Sequence, residues 1–341
     1  MKEQLLKYVK YAGPVGYPVF YVICLAVFAT FTFPYRKLRE HLVTSFNATA
    51  RATNSLQELQ IDDMGGYWLS GIRMSGIALS SGSPEPGKPL TKIEIDQATA
   101  RYSLLPLLIG NSDMNFDAFA FGGEASGSYD MSGKDRSVDV TLDAIDIGNV
   151  QPLVDLLGVP LAGKLAGTVN LKMPEGKASK GTGAVSLEIQ DASVGDGKAK
   201  IKGTLALPKM TVGTLTFAAE AKDGVLRITK LVAGGKDLDV QGDGKITMRE
   251  LATDSLLDVQ IRFRINDIYR TKSDLTKTLF GAPGSNQPAL FEMADPQIKA
   301  SKRPDGFFAW AFGGPLSHPR VSPAAGAVTP SNLTFGQPKT P

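Results

Sequence analysis

The chain has 341 residues, and its 37 lysines and arginines against 34 aspartates and glutamates give a formal net charge of +3. So small a surplus excludes the strong electrostatic attraction on which nucleic-acid binding depends, and we expect no nucleic acid among the partners. The single cysteine, Cys24, excludes an intrachain disulfide framework, while 36 glycines and 21 prolines favour many turns and short strands.

The first predicted element is a membrane-spanning helix over residues 15–35, preceded by a cytoplasmic N-terminal segment, residues 1–14. Tyr17 to Phe33 contains no charged residue and approaches the ~20 apolar residues that cross a bilayer. A cleaved secretory signal peptide is the alternative. Lysines and arginines flank the run almost evenly, so the positive-inside rule does not fix its orientation. Because a lone N-terminal anchor usually carries a large C-terminal domain across the membrane, we expect that domain outside the cytoplasm.

A juxtamembrane amphipathic helix is predicted next, over residues 36–60, because Leu38, Leu42 and Phe46 fall on one helical face. The sequence then changes to short alternating segments separated by glycine-rich turns. These segments predict a β-rich domain over residues 61–322.

Within that domain, the longest strand candidate is Leu256 to Ile268 (LLDVQIRFRINDI). One face of this strand would carry Leu257, Val259, Ile261, Phe263 and Ile265, and the other Asp258, Gln260, Arg262 and Arg264. One apolar face and one hydrated face are typical of an antiparallel or open sheet.

Two segments of the domain predict helices. Gln151 to Leu157 begins with an early proline and stops at a glycine, and Thr271 to Phe280 has leucines four residues apart and stops at Gly281. After the domain, residues 323–341 form a Pro-rich tail that we predict to be disordered.

A short pattern recurs along the domain: a small or apolar residue, any residue, a glycine, and then apolar residues at alternate positions. Its glycines are Gly127, Gly167, Gly203 and Gly244, separated by 40, 36 and 41 residues. This spacing predicts stacked β units in which glycine lets a strand bend or bulge, although chance agreement in a glycine-rich chain is an alternative. The predicted fold class is mainly β: an elongated, curved antiparallel sheet of repeated β units after one N-terminal transmembrane helix.

The segment Gly234 to Met248 (GGKDLDVQGDGKITM) fits two predictions. Aspartates at alternate positions followed by glycine are typical of a calcium loop, whereas alternating apolar residues indicate strands. A calcium loop that starts at Asp237 would need a bidentate glutamate at its twelfth position, which is Met248. We therefore predict strands here.

The sequence shows no catalytic, cofactor-binding or metal-binding constellation. The two histidines, His41 and His318, have no cysteine or second histidine at a metal-ligand spacing. Gly158 to Lys164 has the spacing of a phosphate-binding loop, but Leu165 follows where a hydroxyl would ligate magnesium. We therefore expect no enzyme activity, no cofactor and no metal ion.

An apolar segment near the C-terminus, Phe307 to Phe312 (FFAWAF), completes the predicted site. Apolar residues on both faces of such a strand indicate burial between layers, or contact with another protein or with lipid. Packing in the protein's own core is the simpler alternative. The candidate apolar groove or interface consists of Val259, Ile261, Phe263, Ile265, Phe308, Trp310 and Phe312.

The order of these features resembles the AsmA-like proteins, and most of all their relative, the type II secretion system protein N family. The resemblance is carried by ARYSLLPLLIG (Ala100 to Gly110), KLAGTVNL, GGKDLDVQGDGKITM and the closing GPLSHPRVSP, and it extends from the span to about Pro323. It implies a single-pass protein of a bacterial inner membrane, with its C-terminal domain in the periplasm and with other type II secretion subunits as partners. The chain is shorter than many AsmA-like relatives.

Two functions are consistent with these expectations. The first is a non-catalytic component of a type II secretion system that acts through protein–protein contacts, such as strand addition at an open sheet edge. The alternative is an AsmA-like lipid-binding or lipid-transfer protein with an apolar groove in its sheet. Phospholipid would then be a partner, since each buried CH₂ of an acyl chain contributes about 0.8 kcal/mol.

Overall fold

The structure is a computed structural model of the chain. It describes residues 16–18, 20–21, 24–25, 27–28, 31–52, 57–81, 91–103, 111–151, 153, 159–197, 200–201, 205–206, 208–251, 254–284 and 289–324. Gly203 therefore lies outside the described residues, as do much of the predicted spanning helix and nearly all of the predicted tail.

The described residues between Gly16 and Thr32 are helical. Within the described part of the chain, no helix combines the length and the apolarity that crossing a membrane requires. The spanning helix over residues 15–35 therefore stays a prediction.

The chain divides into two compact units, Met1–Gly158 and Val159–Pro341, and each is described by itself. Both units are mainly β. In the described residues, six strands of the first unit and ten of the second pair in antiparallel fashion, largely with neighbours in sequence. The mainly-β, antiparallel part of the predicted fold class is therefore confirmed.

The first unit consists of a helix followed by an antiparallel meander. Its elements are α1 (Tyr35–Ala52), β1 (Gln57–Tyr67), β2 (Gly71–Ser81), β3 (Thr91–Tyr102), β4 (Ser112–Ala120), β5 (Gly123–Ser132), β6 (Asp135–Asp146) and a 3₁₀ turn (Ile147–Asn149). The register sets Leu59 opposite Leu79, and Leu79 opposite Ile93, so the alternating apolar residues of β1 to β3 share one face.

Helix α1 closes the outer edge of β1. The Asn47 side-chain amide donates to the carbonyl oxygen of Leu59 at 3.1 Å, and the Leu59 N–H donates back to Asn47 Oδ1 at 2.8 Å. Arg39 also donates to the carbonyl oxygen of Asp62. These side chains satisfy backbone groups that a further strand would otherwise pair, which protects the edge of the sheet.

The boundary between α1 and β1 differs from the prediction. The helix ends at Ala52, and residues 57–60, predicted as its last turn, already belong to β1. The physical reason is that Leu59 is held on both sides, by its partner Leu79 in β2 and by Asn47 of the helix. The apolar spacing along α1 carries no information about that tertiary contact.

The second unit contains a longer meander, with short helices before its last two strands. The strands are β7 (Leu161–Met173), β8 (Thr182–Val194), β9 (Lys200–Ile201), β10 (Leu205–Ala206), β11 (Met210–Lys222), β12 (Val225–Gly234), β13 (Leu238–Thr247), β14 (Leu256–Ile265), β15 (Phe308–Pro315) and β16 (Arg320–Pro323). The helices are α2 (Asp267–Arg270), α3 (Asp274–Phe280), α4 (Leu290–Ala294) and α5 (Pro296–Ser301), and 3₁₀ turns cover Pro174–Gly176 and Ala178–Lys180. Strands β9 and β10 pair with each other, and β11 pairs with β8.

The strand predicted over Gly234 to Met248 is confirmed as β13, and the predicted strand Leu256 to Ile268 ends early, at Ile265. The last residues of that segment instead form α2. This happens because Asn266 at the start of α2 donates its side-chain amide to the carbonyl oxygen of Gly235, 3.1 Å away, which turns the chain out of the sheet.

The predicted helix Thr271 to Phe280 is shorter, because Ser273 caps it. The Ser273 hydroxyl accepts from the Thr276 N–H at 3.1 Å, and the Ser273 N–H donates to the Thr276 hydroxyl at 2.9 Å, so α3 begins after this capping box. Its predicted stop at Gly281 is confirmed. Helices α4 and α5 were not predicted. Of the predicted helix Gln151 to Leu157, only residues 151 and 153 are described, and both are helical.

The three repeat glycines that the structure describes, Gly127, Gly167 and Gly244, lie where neighbouring strands approach too closely for a side chain. A Cβ atom at Gly167 would collide with the carbonyl oxygen of Ser186, and one at Gly244 with that of Asp258. At Gly127 it would lie 2.9 Å from the ring of Phe116. The predicted bulge does not occur at every repeat glycine. Strand β5 pairs with both of its neighbours in unbroken register at Gly127. Next to Gly244 there is a bulge, because β12 has one residue more than the facing segment of β13.

Gly167→Ala is expected to lower the free energy of unfolding by about 1–3 kcal/mol, as overpacking does. The reasons are the collision with Ser186 and the φ of 153° at Gly167, which residues with a Cβ rarely adopt. A lower urea midpoint at an unchanged slope would show the effect. Gly234→Ala is the control, because nothing lies within 4 Å of the added carbon, and its midpoint should stay near that of wild type. Equal midpoints for both variants would contradict the close approach.

Candidate functional site

The predicted interface residues lie side by side on β14 and β15. Six of them form three cross-strand pairs: Val259 with Phe312, Ile261 with Trp310, and Phe263 with Phe308. The seventh, Ile265, ends β14 opposite Leu238 of β13. Because directly opposite residues of an antiparallel pair project to the same side of the sheet, the seven side chains form one continuous surface.

This surface extends across five further strands, in rows that cross β15, β14, β13, β12, β11, β8 and β7. The first row is Phe308, Phe263, Val240, Ala233, Leu215, Ile189 and Leu165. The second row is Trp310, Ile261, Gly242, Leu231, Phe217, Leu187 and Gly167. The third row is Phe312, Val259, Gly244, Ile228, Ala219, Val185 and Val169. The fourth row is Gly314, Leu257, Ile246, Leu226, Ala221, Gly183 and Leu171.

We call these four rows the apolar face. Every position in them is apolar or glycine, so no charged or titratable side chain interrupts the face over seven strands. Two repeat glycines, Gly167 and Gly244, belong to it. Leucine side chains of neighbouring strands occupy the space that side chains at Gly167 and Gly242 would need, Leu187 beside the first and Leu231 over the second.

The first row is covered by the helices of the unit. Val240, Leu215, Ile189 and Phe263 pack against a buried cluster whose helical members are Tyr269, Leu279 and Phe280. The remaining buried members are Ala192, Met210, Val212, Ala233, Leu238 and Ile265. This cluster is the core of the second unit, and it lies at one end of the apolar face.

The other three rows lie outside that cluster. Trp310, Ile261 and Phe312 are half-buried, whereas Val259 and Ala219 in the third row are buried. The predicted set is therefore divided: Phe263 and Ile265 belong to the core or pack against it, and the others on β14 together with Trp310 and Phe312 continue beyond it.

A chain of aromatic rings joins the helices to the sheet. The ring centroids of Tyr269 and Phe280 lie 5.7 Å apart, those of Phe280 and Phe291 lie 5.3 Å apart, and Phe291 meets Phe308 edge-on at 5.6 Å. Phe308 in turn stacks on Phe263 at 5.4 Å. Such pairs contribute about 0.5–1.5 kcal/mol each beyond their buried area, so the chain fixes the helices over the first row.

Polar contacts anchor the same helices at the edge of the core. The buried carboxylate of Asp237 accepts from the Thr211 N–H at 2.9 Å and lies 3.6 Å from the ammonium group of Lys272. The Tyr269 hydroxyl, fully buried, donates to the carbonyl oxygen of Pro208 at 2.7 Å. Burial, and next the negative charge of Asp237, raise the pKa of Tyr269 to about 12. The phenol therefore stays neutral at physiological pH and acts as a structural donor.

Charge lies on the opposite side of β14. The Arg264 guanidinium lies 4.8 Å from the ring centroid of Phe307 and pairs with Asp239 at 2.8 Å, and Arg262 lies 5.8 Å from the same ring. Phe307 is thus covered by cations and is not part of the apolar face. Among the described residues, no cluster of three or more histidine, cysteine or acidic side chains could hold a metal ion. The chemistry that the apolar face supports is the burial of apolar surface.

Three residues of the site were not predicted from the sequence: Phe217, Leu231 and Tyr269. The first two belong to the second row. A signal exists for Phe217, because Leu215, Phe217 and Ala219 alternate along β11, whereas an extra residue in β12 puts Leu231 out of phase with Leu226 and Ile228. Tyr269 had no such signal, because it follows a strand and lies in a four-residue helix. Its role depends on contacts with Pro208 and Phe280, which are distant in sequence.

Tyr269→Phe is expected to lower the free energy of unfolding by about 1–2 kcal/mol at about pH 8, because it removes the donor to Pro208. The penalty should shrink by about pH 11. The pKa of a tyrosine in the unfolded chain is about 10, whereas the pKa of folded Tyr269 is about 12. The free energy of unfolding of wild type therefore falls between these pH values, and that of the phenylalanine variant has no such contribution. Urea midpoints at both pH values measure the difference, and Tyr102→Phe controls for removal of one phenol. A penalty that grows with pH would contradict the assignment.

Comparisons with protein-family models, with curated proteins and with solved structures return no match to this chain. The resemblance to the type II secretion system protein N family is therefore an expectation from short sequence motifs.

Proposed function

We propose that the second unit binds phospholipid through its apolar face. The observation that supports this is that the helices cover only one of the four rows of the face. Helices cover the first row, while the second to fourth rows continue across seven strands with apolar residues outside the core cluster, among them half-buried Trp310 and Ile261. A contiguous apolar surface of this extent is typical of a binding site, and an acyl chain is a partner without polar groups to desolvate.

The size of the face suits an acyl chain. The first and the seventh strand of a row are separated by six inter-strand spacings. At about 4.8 Å per spacing, a row is about 29 Å long. One leaflet of a bilayer core is about 15 Å thick, so a lipid chain fits within a row. About ten buried CH₂ groups would contribute about 8 kcal/mol before the loss of chain freedom is subtracted.

We propose that this binding takes place at a bacterial inner membrane, with the second unit in the periplasm. The supports are the uncharged N-terminal segment Tyr17 to Phe33 and the resemblance to AsmA-like proteins. No reaction is part of the proposal, since the apolar face carries no nucleophile, acid or base.

A second candidate function is contact with other type II secretion subunits. The observation that favours it is β16, the last strand in the sheet order, which pairs with β15. Its residues Arg320, Val321 and Ser322 are exposed. The outer edge of such a strand offers backbone donors and acceptors to an added strand from a partner.

The lipid proposal is tested by photo-crosslinking in the native membrane. Benzoylphenylalanine at Phe312, on the apolar face of the full chain, should form a phospholipid adduct that mass spectrometry identifies. The same residue at Ala311, one position along β15 and on the other side of the sheet, is the matched control and should form much less. Equal yields of the lipid adduct at both positions would show contact with bulk lipid only and would contradict the proposal.

A companion change tests whether the whole face binds the chain. Ile261→Lys places an ammonium group in the second row, where burying a charge without a partner is costly, so the adduct at Phe312 should fall at least severalfold. Gln260→Lys adds the same group to the opposite side of β14 and should leave the adduct unchanged. An adduct that survives Ile261→Lys at full yield would contradict lipid binding along the rows.

The partner proposal makes a different prediction for β16. Benzoylphenylalanine at Ser322 should crosslink to a protein, because a strand added at this edge would lie within reach of the side chain. Asp258, an exposed position in the middle of the same sheet, is the control and should remain free of protein adducts. Absence of a secretion subunit from the Ser322 adducts would remove the support for this function.

A further inference from the structure

The turn between β1 and β2 exposes two large apolar side chains. Trp68 is 70% exposed and Leu69 is 51% exposed, in a three-residue turn that joins the paired residues Tyr67 and Gly71. Trp68 has a φ of 55°, which bulky residues rarely adopt. Turn positions of this kind usually hold glycine, asparagine or aspartate. A tryptophan at this position is therefore unfavourable for the isolated fold, and its side chain is mostly exposed.

The end of the apolar N-terminal segment lies beside this turn. A Cβ atom at Gly66, two residues before Trp68, would lie 2.7 Å from the hydroxyl oxygen of Tyr35, the first residue of α1. The ring of Tyr35 lies 4.9 Å from that of Phe33, which ends the uncharged run. The turn is therefore next to the point where the predicted spanning helix would leave a bilayer.

A third exposed aromatic residue lies at the same end of the first unit. Tyr102, the last residue of β3, is 43% exposed, and its carbonyl oxygen accepts from the Ser70 hydroxyl of the turn at 2.6 Å. Tryptophan and tyrosine are enriched at membrane–water interfaces because they combine an apolar ring with a polar group. Trp68, Tyr102 and Tyr35 are thus the residue types found at headgroup depth.

Basic side chains surround these aromatic residues. Arg36 and Lys37 are exposed on the first turn of α1, Arg73 lies 5.0 Å from the ring centroid of Tyr67, and Arg101 precedes Tyr102. Acidic Asp113 on β4 also lies beside Tyr102, because its carbonyl oxygen accepts from the Ser103 N–H at 2.8 Å, and it is paired with Asp130 on β5. Four basic residues against Asp113 leave a surplus of positive charge beside the turn, which complements anionic lipid headgroups.

We propose that this end of the first unit is a membrane-interface contact, in which Trp68 and Leu69 insert at headgroup depth into an anionic lipid surface. The aromatic turn and the basic side chains would hold the sheet of the first unit against the membrane that the N-terminal helix crosses. A protein partner fits less well, because the exposed apolar residues adjoin the apolar segment and are bordered by cations. The contact belongs to the first unit, whereas the apolar face belongs to the second.

Fluorescence of the full chain tests the proposal, because the sequence contains two tryptophans, Trp68 and Trp310. Trp310→Phe leaves Trp68 as the only tryptophan. In nanodiscs of phosphatidylcholine and phosphatidylglycerol, we expect brominated phosphatidylcholine to quench most of its emission and iodide to quench little. Removal of phosphatidylglycerol, or addition of salt, should weaken the quenching by brominated lipid.

The controls separate this contact from lipid binding elsewhere. Adding Ile261→Lys to the Trp310→Phe variant should leave the quenching of Trp68 unchanged, even where it abolishes the adduct on the apolar face. Emission of Trp68 that iodide quenches and brominated lipid does not would overturn the proposal. So would protection of Trp68 that appears only when another protein is present.

Discussion

The register between β14 and β15 is the constraint on which the apolar face depends. With Ile261 opposite Trp310, apolar residues meet apolar residues. A slip of one residue would bring Arg262 and Gln260 to that side, because side chains alternate with period two. The Phe263–Phe308 stack and the helices over it secure this register at one end, where a slip would also break the aromatic chain through Phe291. The helical core therefore secures the register that keeps the other three rows apolar.

Alternation along a strand is visible in sequence because it depends on residues two positions apart. For this reason the faces of β14, and the strand character of β13 against a calcium loop, could be predicted. Pairing partners could not, since they depend on which strand comes next in space. The seven candidate residues were therefore named as two separate stretches, and only the register shows that Ile261 and Trp310 are neighbours. For the same reason, the extension of the face to Leu165 of β7 could not be predicted.

The short helices of the second unit were mostly missed for another physical reason. Helices of four to six residues contain barely one apolar repeat, and such helices are marginal without tertiary packing. Helix α3 was found because it has leucines four residues apart and a glycine stop, both local signals. Helices α2 and α4 depend on the rings of Tyr269 and Phe291, each of which packs on Phe280. Three-dimensional contacts thus decide the part of the site that covers the first row.

Partial covering of the apolar face reconciles two opposed requirements. If helices covered all four rows, burial at about 25 cal/mol per Å² would add stability, but no apolar surface would be left for a ligand. If they covered none, nothing would anchor Phe263 and Phe308 in register, and sheets with weakly specified register tend to slip. The charged side of β14, with Arg264 paired to Asp239, cannot take over either role, because covering it would desolvate ions. A sheet with a helical layer over one row, and apolar residues continuing beyond it, meets both requirements.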